Sequence, residues 1–160
     1  MHIVSIEKGP TVATPTDIDR RAPVIAHHEI QINAPLETVW ALHTDVNAWP
    51  DWNPSVTAAH LDGAFKAGTP FDWTSYGFSV TSTIYEVAPR SRIRWGGTAG
   101  GITGVHEWLF QETNGGVRVS TNESFAGEPV QADKEGMQAA LDGSLRAWLA
   151  QMKAAAESSR

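Results

Sequence analysis

Apolar and polar residues alternate with a period of two over much of this chain, and the period becomes helical in two places. From Val24 to Asn33, residues Val24, Ala26, His28, Ile30 and Ile32 share one face, which predicts a strand. Further short strands are predicted at about Val56–Leu61, Pro70–Ser75, Phe78–Val87 and Ser91–Gly96, with breaks at Tyr76-Gly77 and Ala88-Pro89. Residues 102–125 read as two long strands joined at Asn114-Gly115, a dipeptide suited to a tight turn because both turn positions need φ > 0. If Thr113 pairs with Gly116, then Phe110 faces Val119, Trp108 faces Thr121 and His106 faces Glu123. A three-residue loop with a bulge would shift that register.

Helical spacing first appears after Ala34-Pro35. Leu36, Val39, Trp40 and His43 form an apolar side, and Pro35 suits the first helical position, where its missing N–H costs nothing. The second instance is longer. Pro129 opens a helix expected to run to about Ala156, with Val130, Met137, Leu141, Leu145, Trp148 and Met152 as its apolar stripe. Gly136, Ala140, Gly143 and Ala147 run beside that stripe. Each mid-helix glycine costs about 1 kcal/mol against alanine, so either another element packs very close or room is left under the helix. The five glycines of GGTAGGITG (96–104) predict bulges, a bend, or close approach of a backbone or ligand. NAWPDWNP (47–54) allows no more than a short helical turn.

The resulting order is one strand, short helices, six strands and a long helix. It predicts an α+β domain over residues 23–160: a curved antiparallel sheet of about seven strands gripping a long C-terminal helix, with two short helices after the first strand. Helix and sheet cannot fill the space between them, so an internal cavity is expected. Residues 1–22, with a brief Ile3-Val4-Ile6 alternation, form an N-terminal arm or added edge strand outside the domain.

Composition narrows the function. Seven tryptophans are many for 160 residues, and the indole ring serves both cores and pockets for flat ligands. A net charge of −6 argues against a nucleic-acid partner. No apolar run approaches a membrane span, and the start of the chain lacks the pattern of a signal peptide, so a cytoplasmic protein without stable membrane insertion is expected. The absence of cysteine removes disulfides and thiolate metal sites. His27 and His28 point to opposite faces, His43 lies near Asp45 and His60 near Asp62. None has metal-ligand spacing, and no metal is expected.

His106 and Glu123 are the candidates for chemistry. A histidine opposite a glutamate on an aromatic face is costly unless the two are paired. Burial opposes ionisation of Glu123, and an ionised Glu123 favours the protonated imidazole. Such a pair can act as acid and base in enolisation, aldol cyclisation or dehydration. It can equally be a structural hydrogen bond or hold a polar ligand head without chemistry. Trp73, Trp95 and Trp108 form a flat aromatic wall for a ligand, or ordinary core. Trp49 and Trp52 are expected to fix a loop, and Trp40 and Trp148 to be core. Arg90, Arg92 and Arg94 alternate and are expected on a solvated outer face. No GxSxG is present, which argues against a serine hydrolase.

The strings WPDWNPSV (49–56), EVAPRSRIRWGG (86–97), HEWLF (106–110), VRVSTNESFAG (117–127) and SLRAWLAQMKAAAE (144–157) resemble the START-like (SRPBCC, helix-grip) superfamily, in particular its polyketide cyclase/dehydrase-like branch. The resemblance spans about residues 24–157. It implies a ligand between sheet and long helix, met by Trp73, Trp95, His106, Trp108, Thr121, Glu123, Met137 and Leu141. It implies either a cofactor-independent cyclase or dehydratase using His106 and Glu123, or a non-catalytic carrier or sensor of a lipid or hydrophobic metabolite. The partner is then a small hydrophobic or aromatic molecule, and the chain a monomer or homodimer. An arginine that holds the polyketide chain, frequent in related cyclases, has no counterpart among the pocket positions here. A protein-interaction module would need an exposed apolar patch that the sequence does not clearly show.

Overall fold

A computed structural model describes residues 14–158. Seven strands form one antiparallel sheet: β1 (Val24–Ile32), β2 (Val56–His60), β3 (Pro70–Ser75), β4 (Phe78–Ala88), β5 (Arg92–Ala99), β6 (Ile102–Thr113) and β7 (Gly116–Ala126). Their order across the sheet is β1-β7-β6-β5-β4-β3-β2. Helix α1 (Leu36–Thr44), a 3-10 turn (Val46–Ala48) and α2 (Trp49–Trp52) follow β1, and α3 (Glu128–Ala132) and α4 (Lys134–Ser158) follow β7.

The turn at Asn114-Gly115 sets the predicted register. Thr113 pairs with Gly116, Phe110 with Val119, Trp108 with Thr121 and His106 with Glu123. Register shifts fall between Val56 and Ala58 and between Ile84 and Glu86, not in the glycine run. Such bulges increase local twist and help curl the sheet. The glycine run instead turns the chain at Gly100-Gly101 and lets strands approach closely, since a Cβ on Gly96 would collide with the Gly104 carbonyl.

Two helix boundaries differ from the periodicity. Pro35 is the residue before α1, not its first helical residue. The last helix is broken: Asp133, at φ −150° and ψ 69°, separates α3 from α4. Its carboxylate accepts the Gly136 N–H at 3.0 Å, capping the second helix. The broken turn thus resolves one of the two glycines, because a Cβ at Gly136 would collide with the Asp133 carboxylate.

Helix α4 is tied to the β1 edge of the sheet. His28 Nε2 lies 2.7 Å from Asp142 Oδ1, Gln138 donates to the Ile25 carbonyl at 3.0 Å, and Lys153 donates to the Gln31 carbonyl at 2.8 Å. At the other edge Asn47 joins the 3-10 turn to Leu61 through two hydrogen bonds, of 3.1 and 2.9 Å. Helix α4 is therefore pinned along the β1 edge, and towards the other strands a gap opens between it and the sheet.

The outer face of the sheet is less solvated than its charges suggest. The Ile3-Val4-Ile6 alternation lies outside the described residues, but the end of the arm crosses this face. Ile18 is buried, the Asp19 N–H donates to Ser124 Oγ at 3.1 Å, and Asp17 meets Arg94 at 2.9 Å. Arg90 and Arg92 are exposed as expected, whereas Arg94 is only 16% exposed and also pairs with Glu86. The arm covers it, which alternation along one strand cannot reveal.

Candidate functional site

The divergence of α4 from the sheet leaves a cavity of about 760 Å³. Its mouth is bounded by two hairpin turns at the same end of the sheet, Tyr76-Gly77 and Gly100-Gly101, and by the N-terminal half of α4. Tyr76 and Phe78 on that rim are 62% and 73% exposed. Trp73, Trp95 and Trp148 line its aromatic side, while Gly104, Ala140 and Gly143 leave smooth stretches of sheet and helix.

His106 and Glu123 stand together on this wall, which also carries Asn53 and several serines. They face each other across β6 and β7, with His106 Nδ1 2.9 Å from Glu123 Oε2. Their side chains are 3% and 11% exposed. Thr121 lies two residues before Glu123 on the same face of β7, and its Oγ1 is 2.7 Å from His106 Nε2. The same hydroxyl donates to the Glu107 carbonyl at 3.0 Å. Both imidazole nitrogens are thereby engaged, and Trp95 and Trp108 flank the ring at centroid distances of 4.7 and 4.6 Å. The remaining carboxyl oxygen, Glu123 Oε1, has no partner among the described residues and belongs to a side chain that lines the cavity.

Of the eight residues singled out from sequence, six line the cavity: Trp73, Trp95, His106, Glu123, Met137 and Leu141. Trp108 and Thr121 do not. Both are fully buried behind the lining, Trp108 against His43 and Trp148, Thr121 beneath His106. Trp148, expected to be core, is buried in the core and also lines the cavity. Trp49, expected to fix a loop, is fully buried in the same aromatic cluster and donates to the His43 carbonyl at 3.0 Å.

His43 was given no role by its neighbour Asp45. It is fully buried, and its Nε2 accepts the Trp95 indole N–H at 3.2 Å. Nδ1 must then carry the proton of the neutral ring, and that N–H has no partner among the described residues. Burial, with the nearby His106 adding to it, holds the imidazole well below the usual histidine range. The available signal was its place on the apolar side of α1 with Leu36, Val39 and Trp40.

A profile of the family described as "Polyketide cyclase / dehydrase and lipid transport" matches residues 23–157. The chain belongs to this family. No curated protein matches it. Among solved structures, a hypothetical protein from Helicobacter pylori superposes with a TM-score of 0.77 at 22% identity, covering 87% of this chain and 91% of that one. The di-domain ARO/CYC StfQ of the steffimycin biosynthetic pathway gives 0.71 at 15% identity over 84% of this chain and 51% of that one. A START superfamily protein from Mycobacterium smegmatis gives 0.70 at 11% identity over 85% and 99%. At these identities the likeness is one of fold, a helix-grip architecture. Among the described residues no helix is long and apolar enough to cross a membrane.

Within this polyketide cyclase-like fold, Gly143 is the glycine that leaves room. A Cβ there would meet nothing within 4 Å, and the position lines the cavity. Gly143→Ala should therefore stabilise the unliganded protein by about 1 kcal/mol through helix propensity alone, a gain readable in urea unfolding. A loss of stability would show that the helix is strained at this point.

Proposed function

We propose that this chain binds a small, largely apolar molecule, aromatic or polyketide-like, between α4 and the sheet, and acts on it by acid–base chemistry centred on Glu123. The observation that carries this reading is the unpartnered Glu123 Oε1 on the wall of a mainly apolar cavity, whose other polar lining is neutral, from Asn53, Tyr76 and several serines, apart from His106. That oxygen is not sealed among protein atoms, so a ligand in the cavity can reach it. The family match supports a ligand-binding role, and the ARO/CYC neighbours share the fold.

In the catalytic form of the reading, Oε1 removes a proton from a carbon beside a ligand carbonyl, and the resulting enolate closes a ring or expels a hydroxyl. In the first case a C–C bond forms at a second carbonyl of the ligand, its C=O π bond breaks, and the carboxyl returns its proton to the new alkoxide; in the second the C–O bond breaks, a C=C bond forms, and the carboxyl returns its proton so that water leaves. His106 stands behind the carboxylate and balances its charge, and the cavity wall limits competing water. Trp73 and Trp95 supply flat contact surface for the ligand. Neither step needs more than the chain's own carboxyl and imidazole.

Native mass spectrometry of the purified protein, with extraction of any retained compound, tests the binding step. One apolar or aromatic molecule per chain is expected. An empty protein with no thermal shift across polyketides and fatty acids would overturn it. With a ligand in hand, Glu123→Gln preserves shape and a hydrogen-bonding oxygen but cannot take the proton. Turnover should fall roughly 10²- to 10⁴-fold with affinity little changed. No turnover in the wild type, with the same affinity in both proteins, would identify a carrier or sensor instead.

A further inference from the structure

Thr121, His106 and Glu123 stand in the order hydroxyl, imidazole, carboxyl, at 2.7 and 2.9 Å. That is the arrangement in which a histidine deprotonates a hydroxyl nucleophile. The surroundings rule out that use, because Thr121 is fully buried and does not reach the cavity. Its hydrogen bonds show a different polarity. A hydroxyl has one proton, and the Glu107 carbonyl, 3.0 Å away, can only accept it. The Thr121 oxygen must then accept from His106, so Nε2 bears a hydrogen. In the reverse arrangement, with Thr121 donating to Nε2, two oxygen lone pairs would face each other across 3.0 Å with no proton between them.

We propose that Thr121 is a positioning residue that pins a proton on His106 Nε2, leaving Nδ1 and Glu123 to share one further, mobile proton. The pair is then imidazolium–carboxylate or imidazole–carboxylic acid, and neutral overall in both forms. Moving the proton from Nδ1 to Oε2 turns the carboxylate into the acid without bringing a net charge into the apolar cavity. This deepens the acid–base reading given above: the ligand meets the carboxyl at Oε1, and the imidazole stores the proton behind it. The other titratable groups around His106 are His43 on α1 and, opposite Thr121 on β1, His28, which Asp142 of α4 engages. The cavity-lining residues of α4, such as Leu141, Ser144 and Trp148, add none.

The test uses ligand-free, ¹⁵N-labelled protein, so it does not depend on the ligand or on turnover. Imidazole nitrogen spectra are recorded from about pH 5 to about pH 9. Wild type and Thr121→Ser should keep the signature of a protonated Nε2 throughout, with any titration confined to Nδ1. Thr121→Val, nearly the same shape but without the acceptor, should lose that pinning and show exchange between the two ring tautomers. A wild-type Nε2 that carries a lone pair would overturn the proposal, as would a Val variant indistinguishable from wild type. If the Val variant does not fold, wild type and the Ser variant still decide the state of Nε2. A pinned Nε2 in a protein that binds and converts nothing would sink the functional reading and leave this one standing. Turnover with an unpinned Nε2 would do the converse.

Discussion

Replacing both members of the buried pair, as His106→Phe with Glu123→Leu, will yield a protein at least as stable as the wild type and devoid of any turnover. The argument is one of desolvation. The two side chains are 3% and 11% exposed on an aromatic wall, and taking such groups out of water offsets most or all of what their attraction contributes. Swapping a buried ion pair for apolar side chains is commonly neutral or stabilising by about 1–4 kcal/mol, whereas removing one partner alone costs about 3–5 kcal/mol. His106→Phe strands a carboxyl, and Glu123→Leu leaves Nδ1 facing an apolar side chain. Urea unfolding of both singles and the double variant forms a complete cycle. A double variant as unstable as the worse single would mean that the pair is a structural fastening, and the case for chemistry at Glu123 would weaken with it.

His43 should make the protein acid-sensitive in a window of its own. Its ring is neutral when folded because burial, then His106, holds it well below the ordinary value of 6.5. Once unfolded it titrates normally. Above pH 6.5 neither state gains a proton, so His43 adds no pH dependence. As the pH falls below 6.5 the unfolded chain binds a proton that the folded chain refuses, and stability drops by about 1.4 kcal/mol per pH unit until the folded ring also titrates. From pH 7 to about pH 5 the loss attributable to this residue is then roughly 2 kcal/mol. His43→Leu should remove that slope. It also leaves the Trp95 indole N–H without an acceptor, at a cost of about 1–3 kcal/mol that does not vary with pH. The quantity to compare is therefore the slope, obtained from urea midpoints at several pH values. Equal slopes in the two proteins would show that His43 takes up its proton as readily folded as unfolded.

Carboxylates enter lower on the pH scale. Asp142 is held below its usual range chiefly by the hydrogen bond from His28. For Asp17, desolvation acts upward, but the Ile18 N–H and Arg94 outweigh it and lower the carboxyl. Stability from such groups is present above the ordinary carboxylate value of 3.8 and disappears as the pH falls through their folded values. Between pH 6.5 and the carboxylate range these two groups stay ionised, so the His43 slope is read there.

Much of this molecule was legible from local pattern. The Asn114-Gly115 turn sets the β6–β7 register through backbone geometry alone, and that register places His106 opposite Glu123. Alternation assigned faces correctly along β1 and β3 because the side-chain period of a strand does not depend on its neighbours. The order of elements then left a curled antiparallel sheet and a long helix as the architecture.

Depth behind a face was not legible. Trp95 and Trp108 share a face, yet Trp95 lines the cavity and Trp108 is sealed by α1 and Trp148. The same distinction separates Thr121 from Glu123, two residues apart on β7. Arg94 looked solvated until the arm, over a hundred residues from Ser124, folded across it. The break at Asp133 hid inside an unbroken apolar stripe because a cap made by one carboxylate does not disturb helical periodicity. Sequence alone therefore determined the strands, their facing pairs and the meeting of His106 with Glu123, all of which follow from short-range backbone geometry. Tertiary structure alone decided which of those side chains the cavity reaches, that Glu123 keeps one oxygen free, and that His43 is buried uncharged. Those depend on how far the helices fill the concave side of the sheet, a property of packed volume that no single segment carries.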